Sequence, residues 1–310
     1  MKIYHGIDDF TPLQCAVVTS GTFDGVHLGH QKIFARLRET ASRCGGETVV
    51  ITYWPHPRLV LHPEDDSLRL LNTFEEKADL LKDQGIQHLI RIPFTREFSR
   101  LSSEQFIREI LVDRIGTRKL VIGYDHHFGK NREGSFEQLK VDGPRYGFDV
   151  EEIPRQEVDN VAVSSTTIRK ALDVGDVTTA NHFLGQPYRI TGRVVTGDKI
   201  GRTIGFPTAN IDVESKYKLI PFDGIYAVTV AHAAQTYKGM LYIGTRPTLQ
   251  GTRRVVEVNI FDFRNDIYGD TLTIHFHTRI RNDETFPDLE SLQAKLHEDR
   301  EKAMEALKEH

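Results

Sequence analysis

Through the first part of the chain short apolar runs alternate with amphipathic stretches, and from Tyr188 onward helical spacing gives way to strand alternation. This change of period restricts the fold more than any other property of the sequence. Residues 14–20, 47–53, 88–92 and 119–123 read as buried strands, and residues 29–43, 73–84, 102–115 and 134–146 as helices. Strand and helix in alternation predict an α/β domain, a parallel sheet covered on both faces. In the second half, residues 188–194, 225–230, 255–261 and 272–277 alternate apolar and polar and are joined by glycine-rich connections, which predicts a small antiparallel barrel or sandwich. The change falls near residues 184–188, so the expected domains are 1–184 and 185–310, and a chain of 310 residues has room for two cores. From Asp288 on, Leu289, Leu292, Leu296, Met304 and Leu307 stand among charges and predict an amphipathic helix packed on the β domain.

Composition narrows the classes. Apolar residues make up 39% and charged residues 27%, with no run long enough to span a bilayer, so a globular protein is expected. The first residues carry neither an apolar run nor a cleavage signature, and there are two cysteines, Cys15 and Cys44; both point to a cytoplasmic protein in a reducing compartment. A net charge of −4 argues against nucleic acid as the main partner.

Residues 21–31 read Gly-Thr-Phe-Asp-Gly-Val-His-Leu-Gly-His-Gln and join an expected strand to an expected helix. At such a junction backbone N–H groups and the positive end of the helix dipole suit a phosphate. His27 and His30 are three apart, so a helix beginning near Val26 or His27 puts both imidazoles on one face, able to donate hydrogen bonds to phosphate oxygens. A zinc site is the poorer reading, because Cys15 and Cys44 have no ligand spacing from the pair.

Three further segments of this half carry chemistry. Ser164, Ser165 and Thr166 stand where a helix begins and read either as plain capping residues or as part of an anion site; Arg169 in its first turn opposes the helix dipole, a mild cost that an anion would explain. Residues 123–134 mix glycine with Asp125, Lys130 and Arg132 in a loop after a strand, and could hold part of a nucleotide or be solvated. Residues 51–57 supply an apolar wall stiffened by Pro55 and Pro57, suited to a flat ring or to an ordinary turn.

In the second half, residues 197–211 hold Gly197, Gly201 and Gly205 with Lys199 and Arg202; without the Gly-Lys-Ser/Thr ending of a Walker loop they read either as a loop whose backbone can approach phosphates closely or as a glycine-rich barrel hairpin. Thr208 and Asn210 add the hard oxygen ligands that Mg²⁺ prefers. On residues 255–260 the valines and isoleucine point one way, while Glu257 and Asn259 point to the open face, where a carboxylate can act as a base or simply be solvated.

Taken together, residues 21–31, Pro55-His56-Pro57, 123–134 and Ser164-Ser165-Thr166 with Arg169 resemble the nucleotidyltransferase half of the bifunctional riboflavin kinase and FAD synthetase family. Residues 201–210, Asp223-Gly224-Ile225-Tyr226, Ile243-Gly244, Pro247-Thr248 and Glu257 are similar to its riboflavin kinase module. The resemblance implies a Rossmann-like nucleotidyltransferase domain followed by a β-barrel that make FMN from riboflavin and ATP, then FAD and pyrophosphate from FMN and a second ATP. It implies that His27 and His30 engage the ATP phosphates with Ser164, Ser165, Thr166 and Arg169, and that Gly21, Phe23, Asp24, Gly29, Pro55, Pro57, Asp125 and Phe128 line the nucleotide and flavin site. In the barrel it implies that Thr208 and Asn210 hold Mg²⁺ and the ATP phosphates, that Glu257 activates the ribityl hydroxyl, and that Gly197, Gly201, Arg202, Gly205, Asp223 and Tyr226 shape the binding loops. Tyr53-Trp54, His126 and Tyr242 depart from the residues usual in the family. The implied partners are riboflavin, FMN, FAD, ATP and ADP, with no membrane and no nucleic acid. The rival readings are a nucleotidyltransferase for another phosphate acceptor and a non-catalytic flavin-binding protein.

Overall fold

The four runs expected as buried strands form the centre of one parallel sheet. The computed structural model describes residues 1–123, 128–130, 133–153, 163–197, 201, 204–248 and 251–310, which fall into two compact units, Met1–Ser164 and Ser165–His310.

In the first unit the strands are β1 (Lys2–Tyr4), β2 (Ala16–Ser20), β3 (Glu47–Trp54), β4 (His88–Pro93), β5 (Thr117–Gly123) and β6 (Asp149–Ile153), in the spatial order β1-β4-β3-β2-β5-β6. All adjacent pairs are parallel. Successive side chains of the central strands enter different cores, as the pleat requires. Val18, Ile51, Ile90 and Ile122 pack with Ile107, Leu111 and Leu139 on one face, while Val17, Val50, Leu89 and Val121 pack with Phe34, Leu37 and Leu81 on the other. The helices are α1 (Leu28–Cys44), the short α2 (Pro57–Leu61), which buries no residue, and the covering α3 (Phe74–Asp83), α4 and α5 (Phe136–Tyr146); α4 opens at Ser103–Gln105 and runs on π-helically through Phe106–Ile115. From β2 the chain winds outward through β3 and β4, then returns to β5 on the other side of β2. The carboxyl ends of β2 and β5 are therefore the switch point of the sheet, where open α/β sheets bind ligands.

The second unit opens with α6 (Ser165–Asp173) and α7 (Val177–Leu184) and closes six antiparallel strands into a barrel. These are β7 (Tyr188–Val195), β8 (Ala209–Asp212), β9 (Gly224–His232), β10 (Gln235–Thr248), β11 (Gly251–Ile260) and β12 (Thr271–Arg281), in the order β10-β11-β8-β7-β12-β9. Asn181 of α7 fastens the helix pair to the barrel: its Nδ2 donates to the Phe276 carbonyl at 2.8 Å, and its Oδ1 accepts from the Tyr188 N–H at 2.7 Å.

One outer face of the barrel is also dry. The C-terminal helix α8 (Leu289–Ala306) and the residues after it lay Ala303 and Leu307 on Ile225, Ala227, Met240 and Phe206. A fully buried carboxylate, Asp299, anchors α8 by accepting from Arg281 Nε at 3.0 Å and Nη2 at 2.8 Å. Removing one partner strands a buried charge, so Asp299→Ala is expected to destabilise the barrel unit by about 3–5 kcal/mol. Scanning calorimetry of the full chain would read this as a fall in the barrel transition alone; an unchanged transition would contradict the anchoring role.

Candidate functional sites

Residues 21–27 form the turn between β2 and α1 at the switch point of the sheet, and the backbone there is under strain. Phe23 and Val26 both have φ of 46° and Gly25 has φ of 92°. A β-branched valine in the left-handed region costs about 1–3 kcal/mol and persists only where its surroundings over-determine it. Those surroundings are visible. Asp24, nearly fully buried, accepts from the N–H groups of Leu71 at 3.0 Å and Asn72 at 3.3 Å, and the Asn72 side-chain oxygen accepts from the Gly25 N–H at 2.8 Å. Gly21 must be small, since a Cβ there would meet the Phe23 ring at 3.0 Å.

The turn delivers both histidines to the mouth of α1. His27 is the N-cap residue, with φ −69° and ψ 171°, and no side chain caps the helix. His30 lies one turn on, and the two rings stack at 3.6 Å between centroids; Phe23 meets His30 edge-on at 5.2 Å. The Nδ1 of His30 is buried without a hydrogen-bond partner among the described residues. Burial, then repulsion from His27 and from Lys77, holds the His30 imidazole well below its ordinary value, so it is neutral at pH 7.

Lys77 is the residue that the sequence analysis missed here. Its side chain leaves α3 into the core, only 2% exposed, and Nζ donates to the Thr22 carbonyl at 2.7 Å and to Thr52 Oγ1 at 3.3 Å. Burial pulls its ammonium down to about 8, against the opposing pull of Asp24, so the ammonium is still largely protonated at pH 7. Its sequence signal was a lysine in the otherwise apolar stripe Phe74, Ala78 and Leu81.

Other expected positions lie nearby or serve the core. Pro57 opens α2, with His56 as N-cap accepting from the Arg58 N–H at 3.2 Å. Tyr53, near the carboxyl end of β3, joins Phe94 and Phe98, which follow β4, in an aromatic wall, and burial pushes its hydroxyl up to about 12. Phe128 is a core residue against Phe106. Asp125 and His126 lie outside the described residues, as do Lys199 and Arg202. Ser164 ends the first unit, while Ser165, Thr166 and Arg169 lie in the first turns of α6, whose Ile168 and Leu172 are buried as helical spacing required.

In the barrel unit a cavity of about 250 Å³ lies beside the covered face, lined by Phe206, Ile225, Met240, Phe286, Leu292 and Leu296 together with Thr208, Glu257, Asn259 and Arg281. Glu257 is thus not on an open face, contrary to the expectation from alternation. It stands across from Tyr242 in the β10–β11 register, and the α8 layer covers that side, leaving it 7% exposed. Its carboxylate accepts from Thr208 Oγ1 at 3.1 Å. Asn259 Nδ2 donates to the Pro207 carbonyl at 2.7 Å and fixes the bend that presents Thr208. A second hollow of about 400 Å³, lined by Pro207, Thr208, Ala209 and residues 263–268 among others, shares Thr208 with the first. Thr208 therefore borders both.

The glycines of this region permit close approach. A Cβ on Gly197 would lie 2.1 Å from the Asn210 side chain, and one on Gly201 would lie 2.2 Å from the Phe206 carbonyl. Asn210 pairs with Glu257 in the β8–β11 register, so Thr208, Asn210 and Glu257 converge. Gly205 takes φ of 83°. Asp223 and Tyr226 line neither cavity: Asp223 pairs with Arg254 Nε at 2.8 Å, and Tyr226 is fully buried, with its hydroxyl donating to the Phe222 carbonyl and pushed up to about 12 by burial.

A doubly wound sheet with an uncapped, histidine-bearing helix mouth at its switch point, followed by a barrel in which a buried carboxylate bonds a threonine that borders two hollows, defines a two-domain nucleotide-dependent transferase. Residues 10–167 match the family model described as FAD synthetase, and residues 184–307 the one described as riboflavin kinase. A bifunctional riboflavin kinase/FMN adenylyltransferase of Pseudomonas fluorescens is 38% identical over 96% of both chains, and one of Escherichia coli (strain K12) is 36% identical over 96% of both. The chain belongs to the bifunctional riboflavin kinase/FMN adenylyltransferase family. A solved structure from Streptococcus pneumoniae, described as a macrolide-efflux protein, superposes with a TM-score of 0.86 at 33% identity over 97% of both chains. No helix among the described residues of the present chain is long and apolar enough to cross a membrane.

Proposed function

We infer that this chain phosphorylates riboflavin with ATP to give FMN and ADP, and then adenylylates FMN with a second ATP to give FAD and pyrophosphate. The observation that carries the first step is Glu257, a buried carboxylate in an apolar cavity, hydrogen-bonded to a threonine that also borders a second hollow. Riboflavin occupies the cavity against Phe206, Met240 and Leu296, and the ATP phosphates enter from the side of Thr208. Glu257 takes the proton of the ribityl hydroxyl as that oxygen bonds to the γ-phosphorus, and ADP leaves. Thr208 and Asn210 offer neutral oxygens, and among the described residues no three His, Cys, Asp or Glu side chains group to hold a metal. This suits Mg²⁺, which binds through few protein oxygens and the phosphates of its nucleotide; bound there, it would neutralise phosphate charge during transfer.

Adenylyl transfer belongs to the turn between β2 and α1. The α1 N-terminus and the two imidazoles receive the polyphosphate of ATP, and Lys77 holds the Thr22 carbonyl and adds positive potential from below. An FMN phosphate oxygen attacks the α-phosphorus and pyrophosphate departs, with no side-chain nucleophile required. Asp24 positions the loop. Ser164, Ser165, Thr166 and Arg169 are the resemblance-based candidates for further nucleotide contacts. This reading assigns residues 1–184 to adenylyl transfer and 185–310 to phosphorylation, with the cytoplasm as the place of work.

A pH consequence follows from His30. A base whose value is depressed in the empty site regains affinity for protons when an anion arrives, so ATP binding takes up protons on the acid side of neutrality, above the depressed value of the empty site. Titration calorimetry in buffers of different ionisation enthalpy is expected to show fractional proton uptake that His30→Ala removes; uptake unchanged in the variant would contradict the assignment. The overall activity is tested by incubating the purified chain with riboflavin, ATP and Mg²⁺ and separating the flavins. FMN and FAD are expected, and the absence of both would overturn the reading.

A further inference from the structure

We propose that Cys15 and Cys44 form a reversible dithiol that exchanges with small disulfides of the glutathione type and, once closed, clamps the strand, loop and helix that carry His27 and His30. The chain has two cysteines in 310 residues, and the fold brings their sulfurs to 3.1 Å, about 1 Å beyond the length of a disulfide bond. The approach is built into the backbone. Cys15 immediately precedes β2, and Cys44 is the last residue of α1, so the segment between them contains the whole anion-binding turn. Gly46 makes room for both thiols: a Cβ there would meet the Cys15 carbonyl at 2.4 Å, Cys15 Sγ at 2.9 Å and Cys44 Sγ at 3.1 Å. The Glu47 N–H donates to the Cys15 carbonyl at 3.0 Å and fixes that residue in register with β3.

The two sulfurs differ in access. Cys44 is exposed and Cys15 half-buried. Beside Cys44 lies a hollow of about 360 Å³ bordered by Arg43, Lys119, Asp149 and Glu151. Its charges already pair, Lys119 Nζ with Asp149 at 2.6 Å and Glu151 with Arg36 Nε at 2.5 Å, so what the hollow offers at Cys44 is room for a small polar disulfide. Burial and the neighbouring Cys44 thiol raise Cys15 above its ordinary value, while Lys119 and Arg118 pull it down.

The chemistry balances. Cys44, as its thiolate, attacks one sulfur of glutathione disulfide, forming a mixed disulfide and releasing one glutathione. Cys15 then gives up its proton and attacks the Cys44 sulfur, forming the Cys15–Cys44 bond and releasing the second glutathione. Two cysteines are oxidised by two electrons and one glutathione disulfide is reduced to two thiols.

The test uses the native full-length chain and oxidised glutathione, with acid quenching, thiol titration and mass spectrometry. Titratable thiols are expected to fall from two to none, with loss of two hydrogens, no retained glutathione, a cross-linked peptide joining residues 15 and 44, and recovery with dithiothreitol. Cys15→Ser is expected to keep one glutathione on Cys44. Melting of the oxidised wild-type chain should rise by about 5–10 °C in the first unit, with no rise in Cys44→Ser. A stable glutathione adduct on wild-type Cys44 with Cys15 still titratable, or no reaction of the native chain, would overturn the dithiol. Closure without a rise in melting would overturn the clamp.

Discussion

Replacing Glu257 by glutamine is expected to lower riboflavin phosphorylation by about 10²–10⁴-fold while leaving conversion of FMN to FAD at the wild-type rate. Glutamine keeps the volume and an oxygen for Thr208 but cannot take a proton. The effect should be large because the carboxylate is buried in an apolar cavity, where water is a poor substitute as base. It should also be confined to kcat, since the cavity walls at Phe206, Met240 and Leu296 are untouched. Separate assays with riboflavin and with FMN as substrate decide this. A comparable loss in both would place Glu257 in the scaffold, and no loss in the first would remove it from the reaction.

The reverse pattern is expected of His30→Ala. Adenylyl transfer to FMN should fall by about 10²–10³-fold, the usual cost of removing a preorganised donor to a developing anion, with riboflavin phosphorylation unchanged. His27 would lose its stacking partner as well, so the variant tests the pair as a unit. His30 touches the strained turn only through its edge-on contact with Phe23, whereas the hydrogen bonds that hold the turn come from Asp24, Leu71 and Asn72, so the loop should keep its path and the first unit its thermal transition. A fall in melting equal to the fall in activity would mean that His30 is structural.

What was legible in the sequence follows from burial. Strands β2, β3, β4 and β5 are covered on both faces and write themselves as apolar runs, whereas the edge strands β1 and β6 do not: Lys2–Tyr4 is three residues long, and three of the five residues of Asp149–Ile153 are acidic. In the barrel, β10 was hidden by Gly239, Gly244 and Pro247, and β8 was taken up in the glycine-rich loop. The His27/His30 pair was readable because a strand-to-helix junction is local. Glu257 stands out in the sequence as the odd carboxylate on an alternating strand, but its burial does not, because it depends on α8 closing over the barrel from far along the chain. Lys77 escaped notice for the same reason: its meaning comes from Thr22 and Thr52, distant in sequence, and from a hydrogen bond to a carbonyl that no pattern encodes.

The central claim is that one chain carries two chemically independent sites, one served by Glu257 and the other by His30. The most direct measurement mixes the purified Glu257→Gln and His30→Ala variants with riboflavin, ATP and Mg²⁺ and follows FAD. Each variant alone should fail to make FAD from riboflavin, with FMN accumulating only in His30→Ala, whereas the mixture should form FAD as FMN released by one protein is adenylylated by the other. A mixture that makes no FAD, although both proteins keep their wild-type melting transitions, would contradict the two-site assignment.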